Sequence, residues 1–458
     1  MSNRALNEYF MSTHYQGKAL TKKARAQAAA KAKQGGPKIK GLKRIKGSLA
    51  DGSVIDLASD VNDEPPEPVE VEPERGIDLW LLAGISGLIV FGVVLVYSTS
   101  AVYALRKYGD SAYFLKRQLV FVSLGAVSLW IGAITDYRWI RRWTYPLLAF
   151  AFLLLASVLF LGGKVNGARR WFILGPLSFQ PVEIAKLSLI AFLSYSLTKK
   201  AHRIRTFTVG FVPHILIAGI MMGLLLMQPD LGSAIILGLT TMGLLYIAGS
   251  RIGWMLGAVL MTAPAAYALI VGSAWRMRRL LAYFNPDAYA LSESYQIVQA
   301  GIAIGSGGTV GAGLGQGRQQ LGYLPEGHSD FVLAGIGEEL GFIGIVILLS
   351  LFGLLVWRGT LAAMRARDSF GTYLAFGIIL ALVLQALFNA GVVLGVLPSK
   401  GITLPLVSYG GSSLVLSMYV LGVVLSVARA APPALAGRVL INAPFAKRRR
   451  RRAIVVVS

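Results

Sequence analysis

Ten stretches of this chain are apolar enough, and at about 18–22 residues long enough, to cross a lipid bilayer. Their limits are 78–98, 115–135, 144–162, 182–198, 209–227, 231–249, 253–272, 331–356, 371–395 and 409–429. Inside lipid no water is at hand for backbone N–H and C=O groups, so such segments must close their hydrogen bonds within themselves, as helices. The pattern predicts an all-α integral membrane protein, a polytopic bundle of ten transmembrane helices with a long extracytoplasmic loop between helices 7 and 8. The mean hydropathy of +0.61 excludes an ordinary soluble domain. The first apolar run begins near Ile77, too late for a cleaved leader, so it is expected to stay as a span. An even count puts both tails on one side. The chain shows no 20–50-residue repeat, which excludes a solenoid. Nor do its helical halves look duplicated, which disfavours a transporter built from inverted repeats.

Charge then orients the bundle. Residues 1–50 hold twelve Lys and Arg against the single acidic Glu8, and 51–74 reverse the sign with nine carboxylates. Such segments bury too little apolar surface to fold alone, so 1–76 reads as a disordered tail and 431–458 as a second, basic one. Between them, 77–430 forms the membrane domain. Basic residues cluster in Arg138–Arg142, Lys199–Arg205, Arg251 and Arg358–Arg367, together with Lys447–Arg452. By the positive-inside rule that side, with both termini, is cytoplasmic. The net charge of +23 is therefore read as attraction to anionic membrane lipids and not to nucleic acid. The chain has no cysteine, so thiolate chemistry and disulfides are excluded, and its four histidines make a His-rich metal cage an unlikely design.

The opposite, outer connections carry the unusual polar residues, as loops on a rigid scaffold often do. The stretch Leu324-Pro-Glu326-Gly-His328-Ser329-Asp330, with Glu338 and Glu339 just beyond, gathers carboxylates and a histidine where the eighth span begins. Ser329 is placed as the N-cap of that helix. Asp330 has two readings: a residue favoured electrostatically at a helix N-terminus, or a general base at the mouth of a membrane cavity. Glu183 and Lys186 open the fourth span at i, i+3, where they can pair; they read as a structural ion pair or as functional groups in the membrane. Asp230 can cap the sixth span or line the same cavity. Arg169 and Arg170, and further on Arg276, Arg278 and Arg279, are outward cations suited either to snorkelling or to a diphosphate. The glycines of 305–317 lack the Gly-Lys-Ser/Thr of a phosphate loop and read as flexible backbone over a groove. The last outer connection, with Pro398, Lys400, Pro405 and Ser408, is expected to dip irregularly into the bundle.

Three motifs carry a family resemblance. They are Asn389 with Pro398-Ser-Lys-Gly401 and Pro405-Leu-Val-Ser408-Tyr-Gly-Gly-Ser-Ser413; Leu324 to Phe331 with Gly337-Glu-Glu-Leu-Gly341; and Gly167-Ala-Arg-Arg-Trp171 with Gln180-Pro-Val-Glu183-Ile-Ala-Lys186. From about Trp80 to Ala430 the chain resembles the SEDS family of shape, elongation, division and sporulation proteins. Tyr295-Gln-Ile-Val-Gln299 and Gly313-Leu-Gly315 are more similar to its FtsW cell-division branch than to its elongation relatives. Two departures are visible. Ser329 stands where the family usually has Thr, which keeps the hydroxyl. Val182 stands where it usually has Ser, which removes a hydrogen-bonding group beside Glu183.

The resemblance implies a membrane glycosyltransferase that polymerises lipid II into β-1,4 glycan strands with inversion at the division septum. Asp330 would be its base. Glu183, Lys186, Arg169, Arg170, Asp230, Arg276, Arg278, Arg279, Glu326, His328, Gln299, Lys400 and Ser408 would be its substrate-binding residues. It also implies a class B penicillin-binding transpeptidase and other division proteins as partners. No cofactor is certain, and a divalent cation, Mg2+ or Mn2+, stays open. The rivals are a lipid II flippase, which would need polar lining through the full membrane thickness, and an elongation-type polymerase.

Overall fold

The computed structural model describes residues 46–48, 54–56, 76–165, 167–175, 177–325 and 327–431. The chain divides into two units, Met1–Val71 and Glu72–Ser458. In the first, β1 (Lys46–Ser48) and β2 (Val54–Asp56) pair antiparallel with Lys46 opposite Asp56. The rest of the expected 1–76 tail, and the basic 432–458 tail, lie outside the described residues.

The second unit is mostly helical. It runs α1 (Leu79–Tyr108), α2 (Tyr113–Ile134), a short α3 (Arg138–Arg142), α4 (Thr144–Leu161), α5 (Pro181–Lys199), α6 (Val212–Met227), α7 (Leu231–Ile247) and α8 (Ile252–Val271). Then come α9 (Ala274–Phe284), α10 (Tyr295–Gly307), α11 (Val332–Met364), α12 (Ser369–Val393) and α13 (Gly411–Arg429). A helix lies on each of the ten apolar stretches. Among the described residues seven have the length and composition to cross a membrane: α1, α2, α4, α6 with its preceding π turn, α11, α12 and α13. α7, and the stretch Ile252–Pro264 of α8, are shorter apolar helical segments. α5 is less apolar because it lies in the middle of the bundle, against α4, α7, α12 and α13, where its faces meet protein.

Two expectations need correction. The connection 162–180 contains strands, so the chain is not purely α-helical. Here β3 (Gly163–Val165), β4 (Ala168–Leu174) and β5 (Leu177–Phe179) form an antiparallel meander. The run Trp171-Phe-Ile-Leu174 is strand-favouring and is bounded by Gly167 and Gly175, both at positive φ. The connection 273–330 is likewise not one long loop, since it contains α9 and α10, and α10 packs along α11.

Hydrogen bonds between connections define the two ends of the bundle. At one end Arg170 reaches the 228–229 turn, Arg279 reaches Ser399, and Arg106 reaches Leu321. At the other Tyr137 donates to Asp368, Arg358 pairs with Asp78, and Ser426 donates to Thr135. These are the groups of loops that charge had sorted apart.

α11 is broken at Gly341, which sits at φ 62° and ψ −157°. The break frees backbone groups, and the segment after α10 takes them up. Ala312 and Gly313 N–H donate to the Glu338 and Glu339 carbonyls, while Phe342 and Ile343 N–H donate to Gly308 and Thr309. Glycine is required at 341 on two counts: the positive φ, and the approach of Thr309 and Gly311 backbone into the space a Cβ would occupy.

Candidate functional site

The site is assembled from the connections at the first of these ends. Asp330 lies in the turn that leads into α11. The helix starts at Val332 with Phe331 at its cap position and no side-chain cap. Ser329 is therefore not the N-cap, which corrects that expectation: two further residues stay in the turn before helical geometry begins. Asp330 is half-buried. Its carboxylate lies against the backbone of Gly401, so closely that a Cβ built there would stand 2.5 Å from Oδ2. Its main-chain carbonyl accepts from Asn389 Nδ2 at 2.7 Å.

The partner segment, residues 394–410, has little regular structure, yet Ile402, Leu404, Leu406 and Val407 are buried. Lipid would not tolerate such backbone; protein groups satisfy it here. Asn389 donates also to the Ile402 carbonyl at 2.6 Å, Gln385 Nε2 to the Thr403 carbonyl at 3.0 Å, and Leu404 N–H to Ser408 Oγ at 2.8 Å. Ser408 is thus a buried bracket of the loop.

Lys400 sits at the centre of a cationic group. Burial lowers its pKa to about 8; Asp230 opposes that shift, while Arg170, Arg279 and Arg276 add to it. Arg279 donates to the Ser399 carbonyl at 3.0 Å, and burial followed by the Arg170 charge lowers its own pKa. Arg170 donates to the carbonyls of Gln228 and Pro229. Asp230 caps α7, accepting from Ser233 N–H at 3.3 Å and from Ser233 Oγ at 2.7 Å. Of the predicted residues, Arg170, Asp230, Arg276, Arg279 and Lys400 come together, and Lys400 is the chain neighbour of the Gly401 against which Asp330 lies.

The others have different surroundings. Arg169 turns back to the Leu159 and Phe160 carbonyls and satisfies the last turn of α4. Arg278 is exposed and 3.9 Å from Glu293. The His328 ring packs with Tyr103, Phe114 and Tyr409, and its carbonyl accepts from Tyr409 N–H, so it ties the Asp330 turn to the last connection. Gln299 is half-buried on α10 and makes none of the contacts that define the cluster. Glu326 lies outside the described residues. Glu338 accepts from the N–H groups of Arg318 and Gln319, and Glu339 from Ser98, so both hold loop backbone and helix in register.

Glu183 and Lys186 form the expected ion pair at 2.8 Å, both well buried. Lys186 Nζ also donates to Gln385 Oε1 at 2.8 Å. A cavity of about 30 Å³ beside them, lined in part by Ile190, Ile378 and Ser417, has room for little more than water. Sequence reasoning missed Gln385. The available signal was its spacing: a side-chain amide four residues before Asn389 in an otherwise apolar span.

Comparison with known proteins identifies the family. The family model described as cell cycle protein, FtsW, RodA and SpoVE, matches residues 79–432. A protein of Trichlorobacter lovleyi described as a probable peptidoglycan glycosyltransferase FtsW is 44% identical over 352 residues, covering 76% of this chain and 92% of that one. Stage V sporulation protein E of Bacillus subtilis is 41% identical over 344 residues, covering 75% and 94%. Among solved structures, a chain from work on structural coordination of polymerization and crosslinking by a peptidoglycan synthase complex aligns with TM-score 0.66 and 31% identity, over 78% of this chain and 99% of that one. The rod shape determining protein RodA of Thermus thermophilus aligns with TM-score 0.59 and 31% identity, over 78% and 98%. With its family motifs gathered at one end of a helical membrane bundle, the chain belongs to the FtsW, RodA and SpoVE family of cell cycle proteins.

Proposed function

We propose that the protein is a peptidoglycan glycosyltransferase that polymerises lipid II, with Asp330 as general base. The observation that carries this reading is a single juxtaposition: a half-buried carboxylate against Gly401, the chain neighbour of Lys400, with Arg170, Arg276 and Arg279 around that lysine. Asp330 takes the proton from the acceptor's 4-hydroxyl as that oxygen bonds to the donor's anomeric carbon. The bond from that carbon to undecaprenyl diphosphate breaks, and the diphosphate leaves with the electron pair. One base attacking opposite the leaving group inverts the centre and gives the β-1,4 link. Charge grows on the diphosphate oxygens, where preorganised Arg and Lys cations stabilise it most. Among the described residues no three His, Cys, Asp or Glu side chains gather to hold a metal. A Mg2+ or Mn2+ ion would arrive with the substrate's diphosphate, the kind of ligand Mg2+ shares with one or two carboxylates.

The full topology belongs to the same reading. α5, α7 and α8 join the seven long apolar helices to make ten crossings, with basic loops and both termini cytoplasmic and Asp330 on the outer face. Lipid-linked donor and acceptor account for a site at a membrane surface. The name of the peptidoglycan synthase complex supports a transpeptidase of the class B penicillin-binding type as partner, and the FtsW relatives support work at the septum.

The test supplies labelled lipid II to the full-length protein reconstituted with its transpeptidase, as wild type and as Asp330→Asn. Polymer from wild type and at least about a hundredfold less from the variant is the expected result. Polymer from both would keep the enzyme and dismiss Asp330. Lipid II crossing the bilayer without polymer from either would replace the polymerase with a flippase.

A further inference from the structure

No hydrogen bond or ion pair joins Glu183 or Lys186 directly to Asp330, yet a line of short hydrogen bonds runs from this pair to the backbone of the segment on which Asp330 rests. It runs from Glu183 to Lys186 at 2.8 Å, from Lys186 to Gln385 Oε1 at 2.8 Å, and from Gln385 Nε2 to the Thr403 carbonyl at 3.0 Å. Thr403 is two residues from Gly401, on whose backbone the Asp330 carboxylate rests. One helical turn along α12, Asn389 donates to Ile402 and to the main chain of Asp330 itself. Two amides on one helix face thus hold both walls of the site.

The direction of this line follows from chemistry. An ammonium group only donates, so Lys186 needs the oxygen of the Gln385 amide, not its nitrogen. That choice turns the NH2 toward the Thr403 carbonyl. The opposite orientation would set donor against donor at Lys186 and acceptor against acceptor at Thr403. Gln385 is buried, with 5% of its surface exposed, so water is poorly placed to relieve either conflict. Glu183 pairs with the ammonium at 2.8 Å and holds it in place.

We infer that Gln385 is a positioning residue, through which the membrane-embedded Glu183–Lys186 pair sets the backbone of residues 401–403 and with it the seat of Asp330. The pair then governs catalysis without touching lipid II. The inference rests on the reading of Asp330 as base, and its test has one arm that does not depend on that reading.

Lys186→Met, Gln385→Met and the double variant are made in the full-length protein and reconstituted with the transpeptidase. Hydrogen exchange by mass spectrometry follows peptides covering 400–408, and polymerisation kinetics yield kcat and KM for lipid II. Each single variant should speed exchange in 400–408 and lower kcat by about a hundredfold, the usual cost of an ångström-scale misplacement. KM should stay near wild type, and the double variant should be no worse than either single one. Gln385→Glu keeps an acceptor for Lys186 but loses the donor to Thr403; it should lose kcat as the Met variant does, and it serves if that variant does not fold. Wild-type exchange in 400–408 overturns the inference whether or not any polymer is made. So does a raised KM for Lys186→Met with effects that multiply in the double variant, which would make the lysine a substrate contact. Faster exchange in a protein whose Asp330→Asn variant still polymerises would uphold the mechanical link and refute Asp330 as base.

Discussion

A single methyl group at residue 401 tests the seating of Asp330. The built Cβ of Gly401→Ala lies 2.5 Å from Asp330 Oδ2, whereas ordinary contacts begin at 3.4 Å. The carboxylate must retreat by nearly an ångström, or the loop must. The loop is held from behind by Asn389 and Gln385, so the carboxylate is the part that yields. Gly401 is exposed and its φ is not positive, so alanine adds little backbone strain. Stability should therefore change by less than about 1 kcal/mol. A base displaced by this distance should cost about a hundredfold in kcat. The assay is initial-rate polymerisation of labelled lipid II in proteoliposomes, with thermal melting run in parallel. An unchanged melting temperature with kcat near that of Asp330→Asn is the expected pattern. Wild-type kcat in Gly401→Ala would refute the placement of the base against this backbone.

Other expectations follow from the same structure. Lys400 loses its charge as pH rises through about 8, so kcat/KM for lipid II should fall above that pH, and Lys400→Arg should carry the fall to more alkaline values. The sign for stability is opposite: with its folded-state pKa below the ordinary 10.5, the unfolded chain binds more protons between about pH 8 and 10.5, and Lys400's contribution to stability rises with pH across that window, as denaturation curves of wild type and Lys400→Met would reveal. Asp230→Ala removes the cap of α7 and should cost about 1 kcal/mol, while Asp230→Asn keeps most of it; thermal melting separates the two. Gly341→Ala forces a Cβ onto left-handed backbone and against Gly311, and should reduce the yield of folded protein far more than Gly353→Ala on the same helix, where the space is open.

The parts of this structure that were legible in the sequence are those with a local cause. Apolar length located the helices, the i, i+3 spacing allowed Glu183 to pair with Lys186, and capping was one of the two readings open for Asp230. Where a residue's role is decided by what lies across the bundle, the sequence was silent. Nothing in Gly-Ala-Arg169-Arg170 distinguishes an arginine that closes the end of α4 from one that reaches the 228–229 turn, since strand alternation sends the two side chains opposite ways only once β4 exists. Gln385 reads as one polar residue in an apolar helix until Lys186 and Thr403 stand on either side of it. The break in α11 was hidden because Glu338-Glu339-Leu-Gly341 continues a helical pattern; only the backbone of 308–313 makes the interruption affordable.

That interruption also has a mechanical meaning. The portion of α11 beyond Gly341, from Phe342 to Met364, carries exposed apolar side chains such as Phe342, Ile343 and Leu349, and would feel any change of tilt imposed by bilayer thickness. The stub before it, which follows Asp330 directly, is laced to the 308–313 backbone and anchored through Glu338 and Glu339 to the neighbouring loop and to α1. Gly341 is the joint between the lipid-facing part and this braced stub, and Phe342 and Ile343 just beyond it are tied to the same backbone. A rod of unbroken helix would carry every tilt of the membrane straight to the turn that holds Asp330; here the helix is braced on both sides of Gly341 by the 308–313 backbone before it reaches that turn.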